Sequence, residues 1–108
     1  MKISNINDAS HWFEVLQTSE HSQTAVMVLK ADGQSSEKLN THEKSDQVLF
    51  VVEGEIHGEI GGKKAVLKKG DSCIVPAGTS HRFENKSKEQ AVTFNVYSPP
   101  EYPAEEKD

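Results

Sequence analysis

From Val48 to Val52 the chain reads VLFVV, apolar at every position. A strand with one wet face would alternate. A run apolar on both faces must be covered on both sides. In a small protein the second cover is another sheet or a second copy of the chain, so the run predicts a homodimer. The alternative is a strand in the middle of a sandwich with one face lightly exposed. Around this run lie further short stretches rich in β-branched and aromatic residues: TAVMVLKA, QVLFVVEG, GEIHGEI, KAVLKK, SCIVP, HRFEN and QAVTFNVYS. Turn signals separate them at Asp32-Gly33, Gly54, Gly61-Gly62, Gly70-Asp71, Pro76-Ala77-Gly78, Asn85 and Pro99-Pro100. Many short strands at this spacing predict an all-β sandwich or barrel. Gly61-Gly62 predicts a two-residue hairpin, because glycine tolerates positive φ at both central positions. In GEIHGEI the residues Ile56, Gly58 and Ile60 alternate with Glu55, His57 and Glu59, so His57 is expected to face solvent.

Two regions read less clearly. Trp12, Phe13, Val15 and Leu16 form one face of a helical turn, yet WFEVLQ also reads as a strand. The end of the chain, SPPEYPAEEKD, is proline-rich and acidic and predicts a surface tail over residues 99–108. No linker interrupts the pattern, so residues 1–108 read as a single domain.

Composition narrows the class of function. The chain has 108 residues and a formal net charge of -5. The acidic balance argues against nucleic acid and anionic membranes as partners. No apolar run approaches the roughly 18 residues of a membrane span, and the start, MKISNINDASHWF, has no apolar signal-peptide core. The one cysteine, Cys73, cannot form an internal disulfide; together these features predict a cytoplasmic protein. Cys73 lies in the apolar run SCIV and reads as a small buried side chain. No nucleophile pattern or phosphate loop stands out. His11 and His21 read as surface residues.

One stretch carries a more specific pattern. In GDSCIVPAGTSHRFEN, a glycine at 70, a proline at 76, a glycine at 78, a histidine at 81 and an asparagine at 85 stand at fixed intervals. The physical reading is a turn into a strand and a sharp break. Pro76 cannot donate a ladder hydrogen bond, and Gly78 permits the reversal. A new strand then begins at His81, with Phe83 on the same face. The spacing resembles the second sequence motif of the cupin superfamily, with every position filled. The preceding stretch NTHEKSDQVLFVVEG is similar to the first motif in part. Gly54 stands at the closing glycine, Gln47 where the family has glutamate, His42 at the second histidine and Asn40 at the first. Gly33 lies one residue further upstream than the motif's opening glycine. The motifs cover about residues 33–54 and 70–85.

The resemblance implies an all-β cupin double-stranded β-helix, an RmlC-like jelly-roll barrel open at one end. Members often hold a divalent metal in the mouth through three histidines and a glutamate. Carried over by position, that set is Asn40, His42, Gln47 and His81, with Phe83 lining the pocket and manganese, iron, nickel or zinc as the candidate ion. Asp46 is the alternate to Gln47: alternation counted from His42 brings position 46 to its face, whereas counting back from Gly54 selects position 47. Two amides in the set leave it without formal charge, which suits a complete metal site poorly. The reading that follows is a small cupin binding a small polar ligand in the barrel mouth, directly or through a divalent metal. The alternatives are a metal-dependent enzyme of oxygenase, lyase or isomerase type, and a non-catalytic structural protein without metal.

Overall fold

The computed structural model describes residues 1–104. Eight strands form: β1 (Phe13–Thr18), β2 (Gln23–Leu29), β3 (Asp46–Glu53), β4 (Glu55–Ile60), β5 (Lys63–Lys68), β6 (Ser72–Val75), β7 (His81–Glu84) and β8 (Ala91–Ser98). They pair antiparallel into a five-stranded sheet of order β1-β2-β8-β3-β6 and a three-stranded sheet of order β5-β4-β7. The inner faces of the two sheets enclose one core, in which Leu49, Val51, Ile56 and Phe83 are essentially inaccessible. Of the two readings of WFEVLQ, the strand is the one formed. The Gly61-Gly62 hairpin is present, with φ of 57° and 82° joining Ile60 to Lys63.

Gly58 shows why the inward set of β4 contains a residue with no side chain. It pairs with Phe83 across the sheet. A Cβ there would lie 3.1 Å from Cε1 and 3.2 Å from Cδ1 of the Phe83 ring. The missing side chain is the space that ring fills.

The outer face of the five-stranded sheet is divided. Over β1, β2 and β8, a 3-10 turn at Ile6–Asp8 brings Ile6 and Ala9 onto Leu16, Val26 and Val92. Asn5 caps that turn, its side-chain oxygen accepting from the Asn7 amide at 2.8 Å. Over β3 and β6 nothing of the described chain covers the surface. Val48 is 38%, Phe50 41% and Ile74 60% exposed. The VLFVV run is therefore buried on its Leu49 and Val51 side and open on its Val48 and Phe50 side.

The inner face also changes character along its length. Leu29, Val51 and Ala91 lie toward one end. Toward the other, Gln23 and Gln47 both pair with Tyr97, and all three are buried. The residues between β2 and β3 run antiparallel beside β7 as an extra edge. The amide of Ser35 donates to the Phe83 carbonyl, and Asn40 and His81 exchange backbone hydrogen bonds at 2.8 Å each. That pairing delivers His42 to the polar end, where its carbonyl accepts from the Gly78 amide at 2.8 Å. The turn in the second motif and the histidine of the first are thus tied together by backbone.

Candidate functional site in the barrel mouth

The polar end of the inner face is the mouth of the barrel. A cavity of about 180 Å³ opens there, and its walls include Asn40, His42, Gln47 and His81. His42 and His81 are 4% and 3% exposed, and their ring centroids are 4.6 Å apart. The two imidazoles, 39 positions apart in the chain, thus meet in one cavity. Phe83 lines the wall behind them, its ring centroid 6.0 Å from that of His81.

Each histidine is held differently. His81 Nδ1 lies 3.1 Å from the Thr79 carbonyl oxygen. A carbonyl only accepts, so Nδ1 carries a proton, and the tautomer this bond selects has its lone pair on Nε2. His42 Nε2 lies 3.4 Å from the hydroxyl of Tyr102, and its Nδ1 is buried without a partner. Burial lowers the pKa of His42 below its ordinary value, and the nearby His81 lowers it further.

Gln47 and Asp46 part company at the start of β3. Gln47 is 3% exposed and points into the barrel. Its Nε2 donates to Asn95 Oδ1 at 3.0 Å, and Asn95 Nδ2 donates to Thr93 Oγ1 at 3.0 Å. The Thr93 hydroxyl donates to the Met27 carbonyl at 3.3 Å, so the chain of bonds ends in the core backbone. Gln47 Oε1 is left buried and unpartnered. Asp46 is exposed and outside the cavity; its Oδ1 accepts from the Ala77 amide at 2.8 Å, fixing the turn after Pro76. Asn40 sits exposed at the rim, where its backbone, through the His81 bridge, does the structural work. Asn85 is buried and is not among the lining residues of the cavity: its Nδ2 donates to the Leu29 and Glu89 carbonyls at 2.8 and 2.7 Å. His57 is half-buried on the outer side of β4, while His11 and His21 are exposed. Cys73 is half-buried, and burial raises its thiol pKa.

Aromatic residues complete the mouth, and sequence reasoning missed most of them. Tyr97 meets the His42 ring edge-on at 5.3 Å. Trp12, 53% exposed, and Phe13 border the opening. Thr93, Asn95 and Tyr97 alternate in VTFNVYS, and that period-two polar series was the available signal. Tyr102 had none. The expectation of a surface tail is corrected for Pro100–Tyr102, which fold back so that the Tyr102 ring packs 4.9 Å from Phe13 and 5.2 Å from Tyr97. The part of the predicted tail from residue 105 onward lies outside the described residues. Burial pushes the phenols of Tyr97 and Tyr102 above their ordinary range. Neutral phenols, amides and a neutral His42 line the cavity, with no Lys, Arg, Asp or Glu among its lining residues.

Comparison with known proteins agrees with this architecture. The profile of the cupin domain family matches residues 25–97. The chain is 45% identical over 42 residues to the uncharacterized protein YdbB of Bacillus subtilis, a match spanning 38% of this chain and 37% of that one. Among solved structures, BH2720 of Bacillus halodurans superposes with a TM-score of 0.84 at 23% identity, covering 92% of this chain and 78% of that chain. An RmlC-like cupin with a double-stranded β-helix fold from Methanocaldococcus jannaschii gives 0.79 at 22% identity, covering 92% of this chain and 91% of that chain. At these identities the structural likeness is one of fold. No helix among the described residues is long and apolar enough to cross a membrane. Both sequence motifs, the paired sheets and the profile match lead to one statement: the chain belongs to the cupin domain family.

Proposed function

We propose that this cupin binds a small uncharged polar molecule in the barrel mouth, with His42, His81 and Gln47 as its polar contacts and Phe83 as an apolar wall. One observation carries the reading. His42 Nδ1 and Gln47 Oε1 are buried without partners beside a cavity of about 180 Å³. A buried polar atom left unpaired costs on the order of 1–3 kcal/mol, and a guest with a complementary donor and acceptor recovers it. Cavities with a mostly apolar lining and a few converging polar groups are the usual form of small-molecule sites. The absence of charged groups among the lining residues disfavours carboxylates and phosphates as guests.

The donor set does not fit the resident divalent metal implied by the family. Two imidazoles and one amide oxygen supply no negative charge. Among the described residues no three His, Cys, Asp or Glu side chains come together as a metal cluster. Asn40 is exposed at the rim, and Asp46 is committed to the Ala77 amide. An ion there would keep its charge uncompensated within the barrel.

Thermal-shift measurement against small sugars, alcohols, phenols and organic acids tests the reading, because a ligand selective for the folded state raises apparent stability. Uncharged compounds are expected to raise Tm, and Gln47→Leu to abolish the effect. Elemental analysis after metal repletion is expected to give substoichiometric metal. A stoichiometric ion lost in both His42→Ala and His81→Ala would overturn the metal-free reading.

The open face of β3 and β6 supports a second proposal, a homodimer. Val48 pairs with Ile74 and Val96, and Phe50 with Phe94, so the apolar side chains form a continuous patch. A second copy presenting the same patch about a two-fold axis covers both sides at once.

A further inference from the structure

The C-terminal segment after β8 is latched across the mouth by side chains from β2 and from the loop before β3. Ser45 Oγ donates to the Pro99 carbonyl at 2.8 Å. Gln23, inaccessible at 0% exposure, holds the next two residues. Its Oε1 accepts from the amides of Glu101 and Tyr102 at 3.1 and 2.9 Å, and its Nε2 donates to the Tyr102 carbonyl at 2.8 Å. The latch fixes where the Tyr102 side chain goes. Its ring packs at 58° to Phe13 and edge-on, at 84°, to Tyr97. Its hydroxyl faces His42 Nε2 at 3.4 Å.

We propose that Tyr102 is an internal ligand of the mouth and that the guest which displaces it is a small single-ring phenol. The inference rests on the reading of the mouth as a small-molecule site and names the class of its ligand. The contacts of Tyr102 are those a free phenol would need. Tilted and edge-to-face aromatic neighbours hold the ring, the geometry aromatic pairs prefer. A neutral imidazole nitrogen stands opposite the hydroxyl. No cation is present among the lining residues to select a benzoate or an aryl phosphate. The adjoining cavity of about 180 Å³ is of the order that holds one six-membered ring, since an apolar cavity of about 150 Å³ is known to take benzene. Because the strap and the guest compete, the apparent affinity of the intact protein is the intrinsic affinity reduced by the fraction of molecules with the strap open.

The test is a titration of the full-length ¹⁵N-labelled protein with phenol, with cyclohexanol and benzoate as comparators. Amide exchange is followed at Glu101 and Tyr102. Saturable shifts at His81 and Asn95 are expected with phenol but not benzoate, together with faster exchange of the two strap amides. Tyr102→Phe keeps the ring and loses the hydroxyl contacts, and is expected to bind phenol roughly threefold to tenfold more tightly, the worth of one neutral hydrogen bond. Phenol binding with strap exchange unchanged or slowed would overturn displacement while leaving the mouth a ligand site. Binding of cyclohexanol but not phenol would overturn the phenolic class alone. If no compound moves the mouth resonances of either protein, the inference and the site reading fall together.

Discussion

Gln23→Met isolates the latch. Methionine has the same unbranched reach and fills a similar volume, so packing is nearly conserved. It cannot accept from the Glu101 and Tyr102 amides or donate to the Tyr102 carbonyl, bonds of 3.1, 2.9 and 2.8 Å in the wild type. A typical intramolecular hydrogen bond contributes about 1 kcal/mol net, so the three are worth about 3 kcal/mol to strap closure. The bond from Gln23 to Thr18 Oγ1 is also lost, but it stabilises open and closed straps alike and drops out of the difference. About 3 kcal/mol corresponds to roughly a hundredfold or slightly more in the closed-to-open ratio. Hydrogen exchange reads that ratio directly at the Glu101 and Tyr102 amides. Their protection is expected to fall by about two orders of magnitude, while amides in the centre of β8 change only with global stability. If the strap amides of the variant stay within about threefold of wild type, Gln23 is not the latch and ring packing of Tyr102 alone holds the segment. The comparison with Tyr102→Ala, which keeps the Gln23 bonds and removes the ring, separates those two contributions.

Three further outcomes follow from the geometry. The depressed pKa of His42 means that the unfolded chain takes up a proton near its ordinary value while the folded chain resists it; stability is full above about pH 6.5 and falls as pH drops below it, and urea midpoints across that range should show a drop that His42→Gln lessens. In Gly58→Ala the new methyl presses on Phe83 at 3.1 Å; a loss of about 1–3 kcal/mol in urea unfolding and shifted His81 ring resonances are expected, and an unchanged midpoint would contradict the assigned packing. Light scattering is expected to give twice the chain mass for the wild type, and a single chain mass with unchanged strand content for Ile74→Asp, because Ile74 is 60% exposed within one chain. A monomeric wild type at micromolar concentration would leave the open face of β3 and β6 without a second copy.

The legibility of the sequence varied with how locally each feature is encoded. β2 to β8 announce themselves because a glycine, proline or asparagine follows each run rich in β-branched and aromatic residues. β1 was ambiguous for a reason visible in its register. An irregularity between Val15 and Gln17 shifts the pairing with β2. Phe13 packs on the inner core and Leu16 is buried in the outer cluster, so apolar residues stand on both faces of β1 and the polar alternation that marks a strand is missing. The Asp46/Gln47 ambiguity has a similar origin. Residues from His42 to Ser45 are not in a strand, so alternation cannot be counted through them; it begins at Asp46, where β3 begins. The strap could not be read at all. Its docking uses backbone atoms bound to a glutamine 78 and 79 positions away, and backbone donors and acceptors leave no mark on composition.

The amide at position 47 and the neutrality of the mouth belong together. As an amide, Gln47 donates to Asn95 Oδ1 and leaves Asn95 Nδ2 free to donate to Thr93. A carboxylate at position 47 has no proton for Asn95 Oδ1. It would force that amide to turn over, breaking the bond to Thr93 and orphaning the threonine hydroxyl's role as acceptor. The motif position that would supply negative charge for an ion instead anchors a polar chain ending on the Met27 carbonyl. With that charge absent, burial and the second imidazole, which favour neutral His42, outweigh the opposing pull of the Glu101 carboxylate. A neutral imidazole beside Tyr102 is the condition under which a phenolic hydroxyl is a good partner. The departures from the usual ligand set thus act in one direction on the proposed reading: each removes charge that would favour an ion and leaves neutral groups that can pair with a hydroxyl.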